Sequence, residues 1–335
     1  MAAGSPRIQG EGVAASTCAH LLRQAGIGAS VEKTGRPSLP AIMIGASTQR
    51  LMKDVMDLPN LFAGLPEIRH RVVLWGDSAK AITLPHSAVV ASEVTLLDRM
   101  RPPDAASGPR DSPWTIFASR PLPPGADEHH FGSRFASAAQ VTLKPNGAHD
   151  ACWVESVPQG WLFLLPGAAS GGFLLSVGAS PDALLGESRL IADRIAAIDA
   201  TIGQFPAHPR LVDPLCDPSA AWLACGTAAL GFDPLCGDGA GNATREAILA
   251  SAVVKAVLLE GANPQAVADH YRTRLLAGFK RHLEVCQQFY RTGGSGSWWD
   301  GEGDAVRKGL VWLADRLPDP PVFRYRLNGF TLERL

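Results

Sequence analysis

The segment Ile8-Gln-Gly10-Glu-Gly12-Val-Ala-Ala15 constrains this chain more than any other. A short apolar stretch leads into it, an amphipathic stretch over 14–24 follows, and Ala-Ser-Val-Glu at 29–32 reads as a second strand. Strand, turn, helix, strand is the parallel crossover unit. In a GxGxxA turn the first glycine permits the tight bend and the second admits a pyrophosphate to the backbone. The small third residue, Ala15, lets helix and strand pack closely. An anion there sits on the helix N-terminus. Glycine turns also open many helices that bind nothing. What favours a dinucleotide site is Glu32, about 20 residues beyond the turn, where a carboxylate can hold ribose hydroxyls.

Downstream, 140–143, 151–154, 161–165 and 173–177 alternate like strands between turn residues and predict an antiparallel sheet. Residues 71–75 and 222–224 read as strands, and 93–100 as a short helix. Helical spacing is expected within 41–65 and over 181–203, 243–259 and 267–290. Residues 101–125, rich in proline and glycine around a strand-like patch at 114–117, read as a connection.

With 335 residues, 46% hydrophobic, and a formal net charge of -1, the chain can bury a large pocket but carries no field suited to nucleic acid or an anionic membrane. Small-molecule or protein partners are expected. The N-terminus lacks a basic start and apolar run, and no apolar stretch approaches the roughly 20 residues of a bilayer span, so a cytoplasmic protein is expected. The six cysteines show no CxxC pair or local His/Cys cluster, and no metal is expected. They read as free thiols, most of them buried. Walker, HExxH and Gly-x-Ser-x-Gly motifs are absent.

A second glycine-rich turn, from Gly226-Thr227 through Phe232-Asp233-Pro234-Leu-Cys-Gly237-Asp238-Gly239-Ala-Gly-Asn242, joins a strand to the long helix. It resembles the second FAD motif of the group A flavin monooxygenases and their flavin-dependent halogenase relatives. Thr227 stands where the family has an aspartate that binds the ribityl chain; its hydroxyl replaces one hydrogen bond but not the charge. Gly160-Trp161-Leu-Phe163-Leu-Leu-Pro166 resembles the halogenase Trp-x-Trp-x-Ile-Pro strand, with Phe163 and Leu165 substituted. The same aromatics would serve equally as sheet core. Arg36 fits the family's loop arginine, the helix with Ser92, Glu93 and Leu97 occupies the place of a further FAD contact, and Ala118-Ser-Arg120 resembles a third motif that has lost its glycine.

The resemblance implies an α/β protein with a Rossmann-like FAD lobe from 1–110 and 185–260, an inserted antiparallel substrate sheet over 111–184 (an α+β part), and a helical cap over 261–335. It implies FAD held by Gly10, Gly12, Ala15, Glu32, Arg36, Gly226, Thr227, Asp233, Pro234, Gly237, Asp238, Gly239 and Asn242. The loop at 237–242 would face the flavin ring, where negative charge gathers on reduction. His86, Trp161, Phe163 and Trp298 are candidate substrate contacts; His86 also reads as an ordinary loop histidine, Asp238 as a helix cap, and the aromatics near Trp298 as core or as a lid. No catalytic side chain stands out.

The activity implied is oxygen transfer to an electron-rich aromatic of indole or phenol type, with NAD(P)H or a separate flavin reductase as electron donor. A partner protein's tryptophan is the narrower substrate, from a resemblance to the tryptophylquinone-maturation branch. A halogenase would need a lysine near the substrate, and neither Lys80 nor Lys144 matches a motif. A scaffold protein with weakened FAD binding is the third reading.

Overall fold

The computed structural model describes residues 5–101, 114–145, 149–167 and 170–335. It opens with β1 (Arg7–Gln9), α1 (Val13–Gln24) and β2 (Ser30–Glu32), then β3 (Ile42–Gly45), α2 (Ala46–Met56), β4 (Glu67–Leu74), β5 (Ile82–Ala91) and α3 (Glu93–Met100). The middle holds β6 (Thr115–Phe117), β7 (Asp127–His130), β8 (Phe135–Leu143), β9 (Ala151–Val157), β10 (Gly160–Pro166), β11 (Gly171–Val177), α4 (Pro181–Glu187) and β12 (Ile195–Pro206). There follow β13 (Arg210–Asp213), β14 (Cys216–Asp217), β15 (Trp222–Ala224), β16 (Leu230–Gly231), α5 (Gly239–Glu260), α6 (Pro264–Thr292), α7 (Ser297–Ala314) and a terminal hairpin, β17 (Tyr325–Asn328) and β18 (Thr331–Arg334).

One sheet, ordered β14-β15-β6-β1-β2, pairs β1, β2, β6 and β15 in parallel. α1 and α5 pack together beside it, joined by Ala14, Ala15, Cys18, Ala247 and Ala250 in one core. A second sheet, ordered β12-β8-β11-β10-β9-β4-β5-β3, is antiparallel except where β4 runs parallel to β9. The expected α/β architecture with parallel and antiparallel sheets and a helical C-terminal region is therefore what the chain adopts. Strands from 42–91 join this second sheet beside those from 135–206, a wider span than 111–184.

Period-two alternation divides β10 between two environments. Leu162 and Leu164 enter one core with Val141, Trp153 and Leu174, while Trp161, Phe163 and Leu165 face the other way. Each face is thus apolar for a different purpose.

Two expectations need correction. Residues 181–203 are not one helix: α4 starts at the Ser180 cap and Pro181 and ends at Glu187, and 195–206 pairs with β8. Three register shifts interrupt that pairing and break the strand period, and the outer edge is mostly exposed, so no alternation shows in sequence. The terminal stretch also ends in a β-hairpin rather than staying helical. Residues 102–113 of the connection expected at 101–125 lie outside the described residues. No helix among the described residues is long and apolar enough to cross a membrane.

Candidate functional site

A cavity of about 800 Å³ lies between the carboxyl ends of the parallel strands and the face of the second sheet. Gly12, Arg36, His86, Trp161, Phe163, Gly226, Thr227, Asp233, Pro234, Gly237, Asp238 and Gly239 all line it, although they come from five separate stretches of sequence. Gly10, Ala15, Glu32, Asn242 and Trp298 do not.

Why the first turn bends as it does is visible in its backbone. Gly10 (φ 126°) and Gly12 (φ 98°) adopt angles that side chains disfavour. A Cβ on Gly10 would lie 2.5 Å from the Ser119 amide, and one on Gly12 would lie 2.6 Å from the Arg36 guanidinium. Ser119 Oγ accepts the Glu11 N–H, so the Ala118-Ser-Arg turn supports the glycine turn directly. α1 then begins without a side-chain cap, its free N–H groups at the cavity end. Ala15, 1% exposed, is packing beneath them.

Arg36 bridges this turn to α3. Its guanidinium bonds both oxygens of the buried Glu93, its backbone N–H donates to Glu11 at 2.7 Å, and its Nε is buried without a partner. Glu93 also receives the Leu39 N–H at 2.9 Å. Glu32 ends β2 with its side chain 57% exposed, 3.9 Å from Arg7, while its carbonyl accepts the Gly10 N–H.

The second turn is held from both sides. Gly226 has no room for a side chain, since a Cβ would meet Ala14 Cβ and the Ala118 carbonyl at 2.8 Å, and its N–H donates to Glu246 at 2.7 Å. Thr227 is exposed to the cavity, and its carbonyl accepts from Arg210 at 2.6 Å. Asp233 is spent internally: its carboxylate accepts from Arg134 (2.8 Å), Tyr290 (2.8 Å) and the Leu235 N–H (2.9 Å). Arg134 in turn bonds Glu302, and Trp161 donates to the Tyr290 hydroxyl at 3.2 Å. A buried ionic network therefore fixes the Asp233-Pro234 turn to α6, α7 and β10.

Asp238 is a left-handed residue (φ 69°), and its carboxylate accepts from Thr48 and from Arg245 (2.7 Å) rather than capping α5. Asn242 accepts from Arg245 at 3.3 Å. The N-terminus of α5 consequently also opens on the cavity with no side-chain cap.

On the opposite wall, Arg71 of β4 donates to His86 Nε2 of β5 at 3.2 Å. Burial and then the Arg71 charge lower the His86 pKa, so the ring is neutral near pH 7 with its free N–H at Nδ1. Trp298 is half-buried and packs among Tyr290 and Trp299, away from the residues that line the cavity. Sequence reasoning missed Arg71, Arg210 and Glu246 at this site. Burial raises the Glu246 pKa to about 8.

No family model matches the chain, and no curated protein matches it. Among solved structures, it is similar over 94% of its length to 71% of CmlS, a flavin-dependent halogenase (TM-score 0.73, 15% identity). It is similar over 100% of its length to 86% of QhpG, a peptidyl tryptophan dihydroxylase essential for tryptophylquinone cofactor biogenesis (TM-score 0.73, 17% identity). It also covers 97% of p-nitrophenol 4-monooxygenase PnpA from Pseudomonas putida with 92% of its own length (TM-score 0.62, 14% identity). The chain has the fold of the flavin-dependent halogenases and monooxygenases.

The residues present fit FAD in kind. Two uncapped helix N-termini and the unpaired Arg36 Nε supply donors for a pyrophosphate and an electron-rich ring edge. Of the acidic groups that line the cavity, Glu93, Asp233 and Asp238 are paired with arginines and Glu246 keeps its proton at neutral pH, which leaves Glu11 to oppose an anion.

Proposed function

We propose that the chain is an FAD-dependent oxidoreductase that adds oxygen to an electron-rich aromatic ring of indole or phenol type. One observation carries the reading: a single cavity joins the Gly12 and Gly239 helix N-termini to an apolar wall of Trp161, Phe163, Leu165, Phe173 and Phe205. When bound, FAD reduced by NAD(P)H or by a separate reductase supplies the oxygen-activating chemistry.

The chain's own residues then have distinct tasks. Gly10, Gly12 and Arg36 hold the pyrophosphate, Glu32 binds the adenosine ribose, and Thr227 bonds the ribityl chain. The turn at 237–242 and the uncapped α5 N-terminus would hold the flavin ring and would stabilise negative charge on it. The aromatic wall orients the substrate ring and excludes water. His86, neutral and oriented by Arg71, offers its Nδ1–H to a ring hydroxyl or carbonyl. A tryptophan of a partner protein or peptide is the narrower substrate proposed, because the cavity suits an indole and the fold is shared with QhpG.

Oxygenation is preferred over halogenation because no lysine is among the described residues that line the cavity. The halogenase reading keeps its own support in the equal likeness to CmlS. A scaffold with weak FAD binding draws on Thr227 and on the Ala118-Ser-Arg120 turn that has lost its glycine. The test supplies FAD, a reductase with NADH, oxygen, chloride and bromide, and a panel of phenols, indoles and tryptophan peptides. A product heavier by one oxygen supports the proposal. A product gaining halogen at a rate that rises with halide overturns it in favour of halogenation, and failure to bind FAD at all favours the scaffold.

A further inference from the structure

Cys236 ends a short 3-10 turn, Pro234–Cys236, that borders the cavity, and its side chain reaches the middle of α6. There its Sγ lies 3.4 Å from Cys286 Sγ, and Cys286 Sγ lies 3.3 Å from His282 Nε2, one helical turn earlier. The three groups are fifty residues or fewer apart in sequence but share no local motif. Cys286 is fully buried, whereas Cys236 is only partly so and borders the cavity.

A cysteine pair with a histidine invites a metal, yet the surroundings disfavour one. His282 Nε2 already accepts the Asp233 N–H at 2.9 Å, which occupies the lone pair a metal would need. The adjacent carboxylate, Asp233, is committed to Arg134 and Tyr290, so among the described residues no fourth ligand joins the three. The buried Arg134 guanidinium acts electrostatically on Cys286 and would repel a dication.

The same arrangement suits thiol chemistry. Hydrogen bonding from Cys286, reinforced by His282, outweighs burial and holds the Cys236 thiol down to about 6, which favours the thiolate. Burial, together with Cys236, raises Cys286, which stays a thiol. A low-pKa, accessible sulfur beside a resolving thiol is the pattern of peroxide-sensing pairs. Cys18 and Cys225 supply an internal contrast: their sulfurs are 4.0 Å apart, both are wholly buried, and neither lines the cavity.

We propose that Cys236 and Cys286 form a reversible dithiol–disulfide couple on the cavity wall, oxidised by hydrogen peroxide, with Cys236 as the attacking sulfur and Cys286 as the resolving one. The Cys236 thiolate attacks one peroxide oxygen, the O–O bond breaks, and hydroxide leaves and is protonated to water. The resulting sulfenic acid is attacked by the Cys286 sulfur, which releases its thiol proton as it attacks. The S–S bond forms as the S–O bond breaks, and the departing hydroxide recovers that proton as a second water. Two thiols thus lose two electrons and two protons, and one peroxide becomes two waters. The bond would pin the Pro234–Cys236 turn to α6 and fix the wall from which Gly237 and Asp238 project. None of this requires bound flavin.

The test uses the whole chain, reduced and desalted, exposed to hydrogen peroxide, alkylated with iodoacetamide and digested for mass spectrometry. A cross-linked pair of peptides carrying Cys236 and Cys286, reversed by dithiothreitol, is expected to form about tenfold or more faster than Cys18 or Cys225 is oxidised. In Cys286→Ser, Cys236 should accumulate as a sulfenic acid captured by dimedone. Should both thiols remain alkylatable after peroxide, or react no faster than Cys18 and Cys225, the couple does not exist. A stoichiometric metal in the isolated protein that protects both thiols and vanishes in Cys286→Ser overturns it equally. Mapping the unmutated chain decides the matter even where a variant fails to fold.

Discussion

Glu246 accepts the Gly226 N–H at 2.7 Å while bordering the cavity, so one carboxyl group ties the second glycine turn to the long helix that follows it. Burial first raises its pKa from 4.5 to about 8, opposed by the Gly226 bond and by Arg210. The folded chain therefore retains a proton that the unfolded chain releases. Stability from this group is present below pH 4.5 and falls by about 1.4 kcal/mol per pH unit until the pH passes about 8. Urea unfolding of the Glu246→Gln variant should show that slope removed; an unchanged slope would place the titration elsewhere.

Gly12→Val should abolish the yellow absorbance of protein reconstituted with FAD. Its φ of 98° and the guanidinium 2.6 Å from an added Cβ leave no position for a branched side chain without displacing Arg36. Strain at such a site is about 1–3 kcal/mol, so the variant should still fold, with a lowered Tm. Undiminished flavin binding would remove the pyrophosphate from this turn.

Removing the Glu302 carboxylate leaves Arg134 with half its partners inside a fully buried site. Glu302→Ala is expected to cost about 3–5 kcal/mol in chemical denaturation, since an uncompensated charge is left in the core. A loss below about 1 kcal/mol, the range of exposed ion pairs, would show that water reaches the network.

Phe163 and Trp298 should separate cleanly in kinetics. Phe163→Ala opens the aromatic wall and is expected to raise KM for an indole substrate by about tenfold, the equivalent of roughly 1.4 kcal/mol of lost contact. Trp298→Ala touches Tyr290 and Trp299 outside the cavity and should lower Tm with KM unchanged. A KM effect of equal size for both would restore Trp298 to the substrate side.

What could be read from sequence was what is written locally. Gly10, Gly12, Gly226 and Gly237 announce turns because a backbone demand leaves a mark at one position, and the alternation of Trp161, Leu162, Phe163 and Leu164 announces a two-faced strand. Asp233 carried the right address and a different use, since nothing near it in sequence reveals that Arg134 and Tyr290 claim its carboxylate. His282 and Cys286 show the spacing of one helical face, but the third member, Cys236, arrives from a turn that only folding brings near. β12 was lost to the helix period because its bulges erase the strand period, and Glu246 was hidden among the apolar residues of α5.

The parallel seam between β4 and β9 joins residues 70–74 to 151–155, and β1 waits for β6 and β15 to complete its own sheet. During synthesis the second sheet cannot be completed until the ribosome has passed residue 206, and the first until it has passed residue 224. An emerging chain therefore carries the β4 edge, with its unpaired N–H and C=O groups, through the synthesis of residues 75–150. Long-range pairing of this kind folds slowly and favours intermolecular strand exchange in the interval. Expression at lower temperature or with a chaperone that shields strand edges should raise the soluble yield more than any substitution in the cavity.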